Sequence, residues 1–526
     1  MYCVGVIMRR TSTTSLQFIT VLYASGRRHT PPSGDRAPAY FVDLNLDKIV
    51  DRIVQGREEY GISAFFYSPL ECLEDILYRQ EIIQDVTIHA LYKALMAYST
   101  DMKNIREISE EKTNRFYFYQ QRRWELECIL LYCQAVTALY ERIAPLSLSS
   151  DGMINFRHYL HQYIESENFT GLYSTATMIR KSLEAVQYGL KIKGDAIIVE
   201  RYHQEKNYSD EILDVFSKFK QHDVNVEVES RHHSFGMNHI EAQVLDCVAR
   251  LFSAEFHQLD VFIDANKRYR DNTLDLFERE VQFYLAVVEY IEKFRQKGLP
   301  FCIPEVQRDE KAISAVAAFD LALAEVILEK KEKVVCNDFS FQKHERIFVI
   351  SGPNQGGKTT FARMIGQLHF LALLGIYVPA RQAKLFLTDT IFTHFEKSEN
   401  IYNLRGKLYD DLVRIKAILD AATSHSLIIM NEIFTSTTSR DAIYLGTRVI
   451  KKIVMLDALC VCVTFIDELT ALDPSIVSLM STVEHNNAAL RTYKITRKPA
   501  DGIAWSTTLV IKHGLTYEQI KTRLNG

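Results

Sequence analysis

The sequence has no pair of cysteines in a C-x-x-C arrangement. Its nine cysteines are odd in number and are scattered along the 526 residues. This distribution argues against a disulfide framework and against a zinc site of paired thiolates, and it favours buried thiols in a reduced cytoplasm. We therefore predict a cytoplasmic protein.

The chain also lacks any apolar run of the roughly 18 residues needed to span a bilayer, so no membrane segment is expected. It has no excess of positive charge, because the formal net charge is −4. That balance argues against a uniformly basic nucleic-acid coat, so any contact with DNA would have to come from local basic patches or from a cavity. The length suggests about three domains.

The first 38 residues have no acidic side chain before Asp35 and are rich in Ser, Thr and Arg. Such a composition is typical of a targeting peptide, with Phe18 to Ala24 as a very short apolar core. No clean small-residue cleavage site follows that core. We therefore expect residues 1–38 to be a disordered tail, or the result of an upstream start codon, in preference to a targeting peptide.

From about residue 39 to residue 330, apolar side chains recur mostly at helical spacing. This pattern predicts one long helix over residues 111–143 and a second helical stretch that runs from Asn238 to Phe252 and on from Phe256 to Phe294. The second stretch is long enough to act as a stiff arm.

Two further features of this region need an interpretation. Residues 314–329 predict one helix, with Ser314 as its N-cap. The aromatic cluster at 115–119, next to the basic and amide side chains of 120–123, admits base stacking on a basic strip. Core packing with a solvated charged edge is the favoured interpretation of this cluster.

The periodicity changes near residue 188. Residues 188–193 and 196–202 predict two strands about a Gly-Asp turn, and residues 224–228 predict a third. This β-containing insert, at about 186–232, concentrates positive charge in Lys191, Lys193, Arg201, Lys206 and Arg231. A phosphate contact and an ordinary lysine-bearing surface hairpin both remain open for it. The histidines near 232–239 lack metal-ligand spacing with any nearby cysteine.

The stretch G-P-N-Q-G-G-K-T at 352–359 follows an apolar run and precedes residues with helical spacing. It fits the pattern G-x-x-x-x-G-K-[ST] in the strand, loop and helix context that this phosphate-binding motif requires. Glycines let the backbone N–H groups surround a phosphate chain, Lys358 pairs with the β and γ phosphates, and Thr359 ligates Mg²⁺. The alternative, a Gly-rich turn without a ligand, fits this context poorly.

A second candidate site consists of Asn431 and Glu432, which directly follow the apolar run at 427–430. In P-loop enzymes of the ABC-like class, the final acid of such a run activates the attacking water, and the residue before it holds Mg²⁺ through water. Glu432 and Asn431 would take these two roles. A strand that merely ends in polar residues is the alternative. The hydroxyl-rich residues 435–439 either bridge to a second nucleotide or cap the next helix. A further strand at 458–463 completes the pattern of a doubly wound parallel sheet, with its site at the carboxyl ends of the strands.

These motifs resemble those of the MutS family of DNA mismatch-repair ATPases. The loop at 352–360 is similar to that family's G-P-N-M-G-G-K-S-T, residues 377–380 to Y-V-P-A, residues 431–441 to D-E-I-G-R-G-T-S-T-Y-D, and residues 464–469 to T-H-Y-F-E-L. The resemblance covers about 334–515 and, more loosely, 40–330. It implies an α/β P-loop (ABC-like) ATPase domain over 331–526, preceded by a mostly α-helical core and lever domain over 39–330 with a clamp-like insert.

The sequence departs from the family pattern at the expected site. The aspartate expected at position 431 is Asn, the histidine expected at 465 is Phe, the adenine-stacking aromatic expected near 334 is Val334, and the S-T-F region is replaced by 405–409. We therefore expect nucleotide binding with slow or partner-dependent hydrolysis. Arg405 or Lys407 is the candidate for the missing phosphate contact across a dimer. The printed sequence contains no G-x-F-Y-E stretch, so we do not expect mismatch reading of the usual kind, and we expect no Smr nuclease tail of the sort that another branch of the family carries.

The resemblance implies a homodimeric, ATP- and Mg²⁺-dependent DNA-binding ATPase that opens and closes arms around DNA. Glu432 and Lys358 would be catalytic, and Thr359, with Asn431 acting through water, would hold the metal. The residues assigned to nucleotide binding are Gly352, Pro353, Asn354, Gln355, Gly356, Gly357, Lys358, Thr359 and Thr360. Two alternatives remain: a nucleotide-gated scaffold that hydrolyses weakly or not at all, and an ATPase that acts on RNA or protein.

Overall fold

A computed structural model describes residues 18–24, 37–115, 117–194, 196–203, 237–396, 406–484, 487–500 and 516–524. These residues divide into two compact units. The helical unit takes the described residues of 89–147 and 154–276, and the sheet-bearing unit takes those of 19–88, 148–153 and 277–526. Across the described helices, none combines the length and the apolar character that crossing a membrane requires.

The chain enters the sheet-bearing unit with short helices. They are α1 (Tyr40–Asp43), α2 (Leu46–Val54), α3 (Ser63–Phe66) and α4 (Leu73–Val86), with a 3-10 turn at Glu58–Tyr60. In α2, the apolar residues Ile49, Val50 and Ile53 are buried. They recur at the three- to four-residue spacing that places side chains on one face of a helix.

Long helices make up the helical unit. They are α5 (His89–Arg115), α6 (Phe118–Ile143), α7 (Asp151–Glu165), α8 (Glu167–Glu184), α9 (His239–Leu251), α10 (Ser253–Ala265) and the start of α11 (Asn272–Arg295). The first residues of α7, and α11 from residue 277 onward, belong to the sheet-bearing unit. Helices α5 and α6 pack against each other. The single helix predicted over 111–143 is therefore wrong, because α5 ends at Arg115 and α6 begins at Phe118.

The second predicted stretch is also interrupted. Helix α10 ends at Ala265 and α11 begins at Asn272. The Asp271 carboxylate accepts hydrogen bonds from the backbone N–H groups of Thr273 and Leu274, at 2.9 and 3.0 Å. An acidic side chain that satisfies the first free N–H groups starts a new helix, so the predicted stretch consists of three helices, α9, α10 and α11.

The helical unit contains a hairpin where the sequence predicts two strands. Strands β1 (Tyr188–Lys193) and β2 (Ala196–Arg201) pair antiparallel, with Lys193 opposite Ala196 across the turn. Lys191 forms an ion pair with Glu200, and Arg201 donates a 2.8 Å hydrogen bond to the Leu251 carbonyl. The predicted strand at 224–228, and the basic residues at 206 and 231, lie outside the described residues.

The sheet-bearing unit contains the remaining strands. They are β3 (Glu305–Gln307), β4 (Ser314–Ala318), β5 (Asn337–Ser340), β6 (Ile347–Ser351), β7 (Gln382–Phe386), β8 (Ile391–His394), β9 (Leu427–Asn431), β10 (Leu459–Val463), β11 (Ile476–Glu484) and β12 (Asn487–Arg497). Its later helices are α12 (Leu321–Glu329), α13 (Lys358–Leu373), α14 (Lys407–Ala421), α15 (Ser439–Leu456) and α16 (Tyr517–Leu524). A second 3-10 turn covers Asp467–Ala471.

The main sheet has the strand order β12-β11-β6-β10-β9-β8. All neighbouring pairs are parallel except β11 with β12. Ile428 and Met430 pack with side chains of α14 and α15, whereas Ile429 lies next to Gly366 of α13. Because successive residues of a strand point to opposite faces, helices cover both faces of the sheet. This is the α/β architecture that the sequence predicts.

A smaller sheet, with the order β3-β7-β4-β5, corrects the helix predicted over 314–329. Ser314–Ala318 is a strand that pairs with β5 on one side and β7 on the other. Helix α12 begins only after Asp320, whose carboxylate accepts a 3.0 Å bond from the N–H of Leu323. Pairing on both sides decides the strand conformation of this alanine-rich segment, against its helical propensity.

Residues 19–24 differ from the disordered segment expected for 1–38. The side chain of Thr20 and the N–H of Val21 donate to the Glu280 carboxylate at 2.8 and 2.9 Å. The Leu22 carbonyl accepts from the fully buried Arg79 at 2.9 Å. Long-range partners more than 50 residues away, which no local pattern reports, therefore hold this stretch inside the sheet-bearing unit.

Candidate functional site

The phosphate-loop motif lies between β6 and α13, at the carboxyl end of a central strand. Gly352 and Gly357 have φ values of +112° and +89°, a region that side chains with a Cβ rarely occupy. A Cβ placed on Gly352 or on Gly356 would lie 2.5 Å from the hydroxyl oxygen of Ser481 on β11. The glycines are therefore needed both for the curvature of the loop and for the close approach of β11.

Lys358 is held inside this loop. It is only 5% exposed, and its ammonium donates hydrogen bonds to the carbonyls of Gly352 and Pro353, at 2.8 and 3.0 Å. Burial lowers the pKa of Lys358 to about 8; the nearby Glu432 carboxylate opposes this shift and Arg491 adds to it. The ring of Phe465 covers the ammonium, with its centroid 4.6 Å from Nζ. The loop thus contains a cation that a phosphate can recruit from two carbonyl oxygens.

Thr359 and Asn431 meet at the end of β9. The Thr359 hydroxyl donates a hydrogen bond of 2.8 Å to the Asn431 side-chain oxygen. Hydroxyl and amide oxygens are hard ligands of the kind that Mg²⁺ takes, and that ion usually keeps several waters and binds substrate phosphates as well. Within the described ranges, no group of three or more His, Cys, Asp or Glu residues is placed to hold a metal ion. The pair therefore fits a magnesium held jointly with a nucleotide, and not a metal caged by protein alone.

Glu432 follows Asn431 directly and leaves the sheet at a sharp turn. Its φ is +56°, in the left-handed region, and its backbone N–H donates to the Val463 carbonyl at 2.8 Å. Its side chain is half-buried. Such a conformation is uncommon for a residue with a Cβ, and strained residues of this kind cluster at functional sites.

The remaining assigned residues complete the loop. Pro353 and Gly356 are buried, Thr360 is half-buried, and Asn354 and Gln355 are exposed, with Gln355 at a φ of +59°. All of the residues predicted to bind nucleotide therefore lie in one loop and the first turn of α13.

Thr438, one of the hydroxyl-rich residues 435–439, has a structural role. The Thr438 hydroxyl accepts a 3.2 Å hydrogen bond from the N–H of Asp441 and donates to that residue's carboxylate at 2.8 Å. This is the N-cap of α15. The capping alternative is thereby confirmed for Thr438.

The candidate cations for a contact across a dimer are only partly described. Arg405 lies outside the described residues. Lys407, at the start of α14, forms an ion pair with Glu396. In this conformation the Lys407 ammonium is engaged within its own chain.

Sequence reasoning missed the contribution of β11 and β12. Ser481 touches the loop glycines, and its buried hydroxyl has no hydrogen-bond partner among the described residues. Arg491 acts electrostatically on Lys358, and Tyr493 lies beside Gly357. These residues follow the loop by more than 120 positions and belong to no motif, so only the pairing of β11 with β6 reveals them.

Comparison with known proteins agrees with this geometry. Residues 348–507 match MutS domain V. The chain is 31% identical to DNA mismatch repair protein Msh3 of Mus musculus over 163 residues, which is 30% of this chain and 15% of that protein. It is 29% identical to DNA mismatch repair protein MutS of Orientia tsutsugamushi (strain Boryong) over 180 residues, which is 34% of this chain and 20% of the relative.

These alignments cover a fifth or less of the length of the two relatives. The phosphate loop, and the strand that ends at Asn431 with Glu432 after it, both lie within the residues 348–507 that match MutS domain V. This part of the chain is therefore similar to MutS domain V, a P-loop ATPase domain.

Proposed function

We propose that this protein is an ATP- and Mg²⁺-dependent ATPase of the MutS type that binds DNA as a homodimer. The observation that carries the proposal is the meeting of Lys358, the Thr359–Asn431 pair and Glu432 at the carboxyl ends of β6 and β9. In open α/β sheets this edge is where ligands bind. The similarity of 348–507 to MutS domain V supports the same assignment.

We assign the steps of the reaction to residues of this chain. The backbone N–H groups of 352 and 354–359, together with the Lys358 ammonium, hold the β and γ phosphates, and Pro353 contributes no N–H. Thr359 would hold Mg²⁺ directly and Asn431 would hold it through water, and the ion would neutralise charge on the phosphates. Glu432 accepts the proton of the attacking water, since a carboxylate just beyond the strand end faces the site.

Hydrolysis is proposed to be slow. Asn431 lacks the negative charge that the family pattern places beside the metal. A unit charge at about 4 Å in an effective dielectric constant of about 20 is worth about 4 kcal/mol, although the phosphates supply most of the ligation. Weaker attraction for Mg²⁺ should therefore reduce the turnover more than it reduces nucleotide binding.

A second candidate function follows from Phe465. Its ring packs on the Lys358 ammonium at a position where the resemblance implies a histidine. An apolar ring can neither donate a hydrogen bond to a γ-phosphate nor move a proton. Together with Asn431, this favours a nucleotide-gated scaffold that hydrolyses weakly as the alternative to a cycling ATPase.

The DNA-binding part of the proposal concerns residues 39–330. Helices α5 and α6 have 27 and 26 residues, which gives each a length of about 40 Å at about 1.5 Å per residue. Helices of this length suit the role of levers, and the hairpin β1–β2, within the insert at 186–232, would contribute a clamp. Domain bounds near 39, 330 and 331 are part of this proposal, as are DNA as the partner and the cytoplasm as the location.

The decisive experiment measures ATP-dependent binding to duplex, branched and single-stranded DNA at several salt concentrations. Phosphate contacts predict a steep fall of affinity with salt, and the Lys358→Ala variant should lose the response to ATP. Binding to RNA or protein but not to DNA would favour the other partner classes.

Single-turnover hydrolysis by the purified dimer separates the two candidate functions. Phosphate release in the unmodified protein, but not in Glu432→Gln, supports the ATPase. Tight ATP binding with no release in either protein supports the scaffold. A protein that binds no adenine nucleotide contradicts both.

A further inference from the structure

The hairpin of β11 and β12 continues past the end of β6 and borders the phosphate loop. Met480 of β11 pairs with Ser351, the last residue of β6, and β11 continues beyond that pair. The hydroxyl oxygen of the next residue, Ser481, lies 2.5 Å from the point where a Cβ on Gly352 or on Gly356 would be. The part of the hairpin beyond Met480 therefore lies beside the loop.

Arg491 belongs to this part of the hairpin. It pairs with Val483, which follows Ser481 by two positions. On the same strand, Cα and Cβ of Tyr493 lie 3.8 Å from the point where a Cβ on Gly357 would be. Arg491 is two residues nearer to the start of β12, and it is half-buried. A strand that the loop motif does not include therefore brings an arginine to the loop.

The charge of Arg491 acts on the Lys358 ammonium. Burial lowers the pKa of Lys358, the Glu432 carboxylate opposes this shift, and Arg491 adds to it. Charges that solvent reaches are screened beyond about 10 Å in dilute salt, so the guanidinium lies near the ammonium. Lys358, which is only 5% exposed, thus has a second cation close to it.

Positive charge is in excess among the groups that act on Lys358. Lys358 and Arg491 are cations, and Glu432 is the carboxylate beside them. Two like charges at short range repel each other, and an anion that contacts both would offset this repulsion. The planar guanidinium can donate two parallel N–H bonds to phosphate oxygens. The arrangement therefore fits a phosphate chain better than it fits a loop without a ligand.

We propose that Arg491 binds the phosphate chain of the nucleotide as a second cation beside Lys358. This assignment rests on the proposed function, because a phosphate chain is present only if a nucleoside triphosphate fills the loop. It differs from a contact across a dimer, for which Lys407 is a candidate that forms an ion pair with Glu396. Arg491 belongs to the same chain as the loop, so it can offset phosphate charge without a partner subunit.

The test varies the charge at position 491 and the part of the ligand that is offered. Affinities for AMP-PNP, an ATP analogue that is not hydrolysed, and for tripolyphosphate, each with Mg²⁺, are measured by calorimetry on the full chain. Arg491→Gln should weaken the binding of both ligands about tenfold, the size expected for a lost charge-assisted hydrogen bond. Arg491→Lys keeps the charge and should lose less, whereas Arg491→Glu repels phosphate and should lose more.

Ionic strength separates a charge contact from a packing role. Solvent reaches the half-buried Arg491, so salt should screen its attraction for phosphate. The difference in affinity between the unmodified protein and Arg491→Gln should therefore shrink between about 0.05 M and about 0.5 M salt. A difference that salt leaves unchanged would overturn the proposal, because distortion of the hairpin does not depend on screening.

Arg448→Gln is the matched control. Arg448 is exposed on α15, where its guanidinium carbon lies 5.0 Å from the centroid of the Tyr444 ring. The substitution removes the same charge from the protein at a distance from the loop, so both affinities should stay unchanged. Thermal unfolding without ligand shows whether each variant folds. If Arg491→Gln does not fold, Arg491→Met, which keeps an unbranched stem, replaces it.

The outcomes are separable. Unchanged affinities in Arg491→Gln overturn the proposal, and so does an equal loss in the Gln, Lys and Glu variants, because shape and not charge would then matter. A loss for AMP-PNP alone also overturns it, since the contact would then be to the base or the ribose. If the unmodified protein binds neither ligand, or if Lys358→Ala binds both as well as it does, the proposed function fails instead.

Discussion

The hydroxyl of Thr359 and the side-chain oxygen of Asn431 are joined by a hydrogen bond of 2.8 Å. The bond leaves the lone pairs of the threonine oxygen free, since the hydroxyl uses only its proton. A threonine in this arrangement can donate to Asn431 and ligate Mg²⁺ at the same time. The missing feature at position 431 is therefore a charge and not a hydrogen-bond acceptor.

We predict that Asn431→Asp accelerates ATP hydrolysis. The aspartate keeps the acceptor for Thr359 and adds a negative charge beside the metal, so Mg²⁺ should bind more tightly. An increase of about tenfold in turnover corresponds to about 1.4 kcal/mol at the barrier. Phosphate release is measured across a Mg²⁺ titration, with Asn431→Ala as the matched loss of the acceptor. No gain in either rate or Mg²⁺ affinity would contradict the assignment of position 431 to the metal.

Glu432→Gln should stop turnover and leave ATP bound. Removal of a general base typically lowers the reaction rate by roughly 10²–10⁴-fold. Filter binding of ATP and single-turnover phosphate release are the two measurements. The control is Glu468→Gln, an exposed acid that follows β10. Retained hydrolysis in Glu432→Gln would remove this residue from the mechanism.

ATP affinity should fall as the pH rises through about 8. Burial lowers the pKa of Lys358 to about 8 in the free protein, so above that pH its side chain is mainly a neutral amine that must take up a proton before it can pair with phosphate. The limiting slope is about tenfold per pH unit. Lys358→Arg keeps its charge at every accessible pH and should show no such decline. A flat profile for the unmodified protein would show that Lys358 stays charged in the free loop.

Glu280 should make folding more favourable in mild acid. Burial raises its pKa to about 7, against a reference value of 4.5. The folded state therefore holds a proton that the unfolded state releases between these values, and this contribution to stability is present below about 4.5 and lost as the pH rises through 7. The loss amounts to at most about 3 kcal/mol.

The measurement for Glu280 is the urea midpoint between about pH 4.5 and pH 8, over which the linked proton is released. Glu280→Gln cannot ionise, so the difference between the two proteins isolates this one group. The difference between the urea midpoints of the unmodified protein and Glu280→Gln should narrow or reverse as the pH rises. Parallel profiles would mean that Glu280 titrates normally in the folded protein.

Gly375 and Gly298 provide a matched pair for testing the packing between α4 and the end of α13. Both have φ near the left-handed region, +71° and +81°. A Cβ on Gly375 would lie 2.6 Å from Cβ of Arg79, whereas one on Gly298 meets nothing within 4 Å. Alanine at either position costs about 1 kcal/mol of backbone strain. Gly375→Ala should cost about 1–3 kcal/mol more through overpacking. Equal losses in thermal stability would refute the close contact.

The sequence was sufficient for the parts of the site that consist of consecutive residues. The phosphate loop, the strand before it and the acid after β9 are recognised locally, because the chemistry needs fixed spacing between Gly356, Lys358 and Thr359. The parallel sheet followed from alternating apolar runs and helices. The hairpin at 188–201 followed from its change of period.

Other features depend on partners far away in the chain. Residues 314–318 form a strand because β5 and β7 pair with them on either side. The sequence of these five residues contains no pattern that predicts this pairing. Ser481 and Tyr493 reach the loop through the sheet, at a distance of more than 120 residues. Spacing rules describe neighbours along a helix or strand, so they could not supply contacts of this kind.

The bonds that Thr20, Val21 and Leu22 make to Glu280 and Arg79 set a limit on how the protein can be shortened for expression. Trimming that stops before residue 18 leaves those bonds intact. Trimming past residue 24 would leave the buried Glu280 carboxylate without its donors from Thr20 and Val21, and the buried Arg79 guanidinium without its acceptor from Leu22, which should destabilise the fold. Affinity tags at the amino end should therefore be separated from residues 19–24 by a spacer that leaves these hydrogen bonds intact.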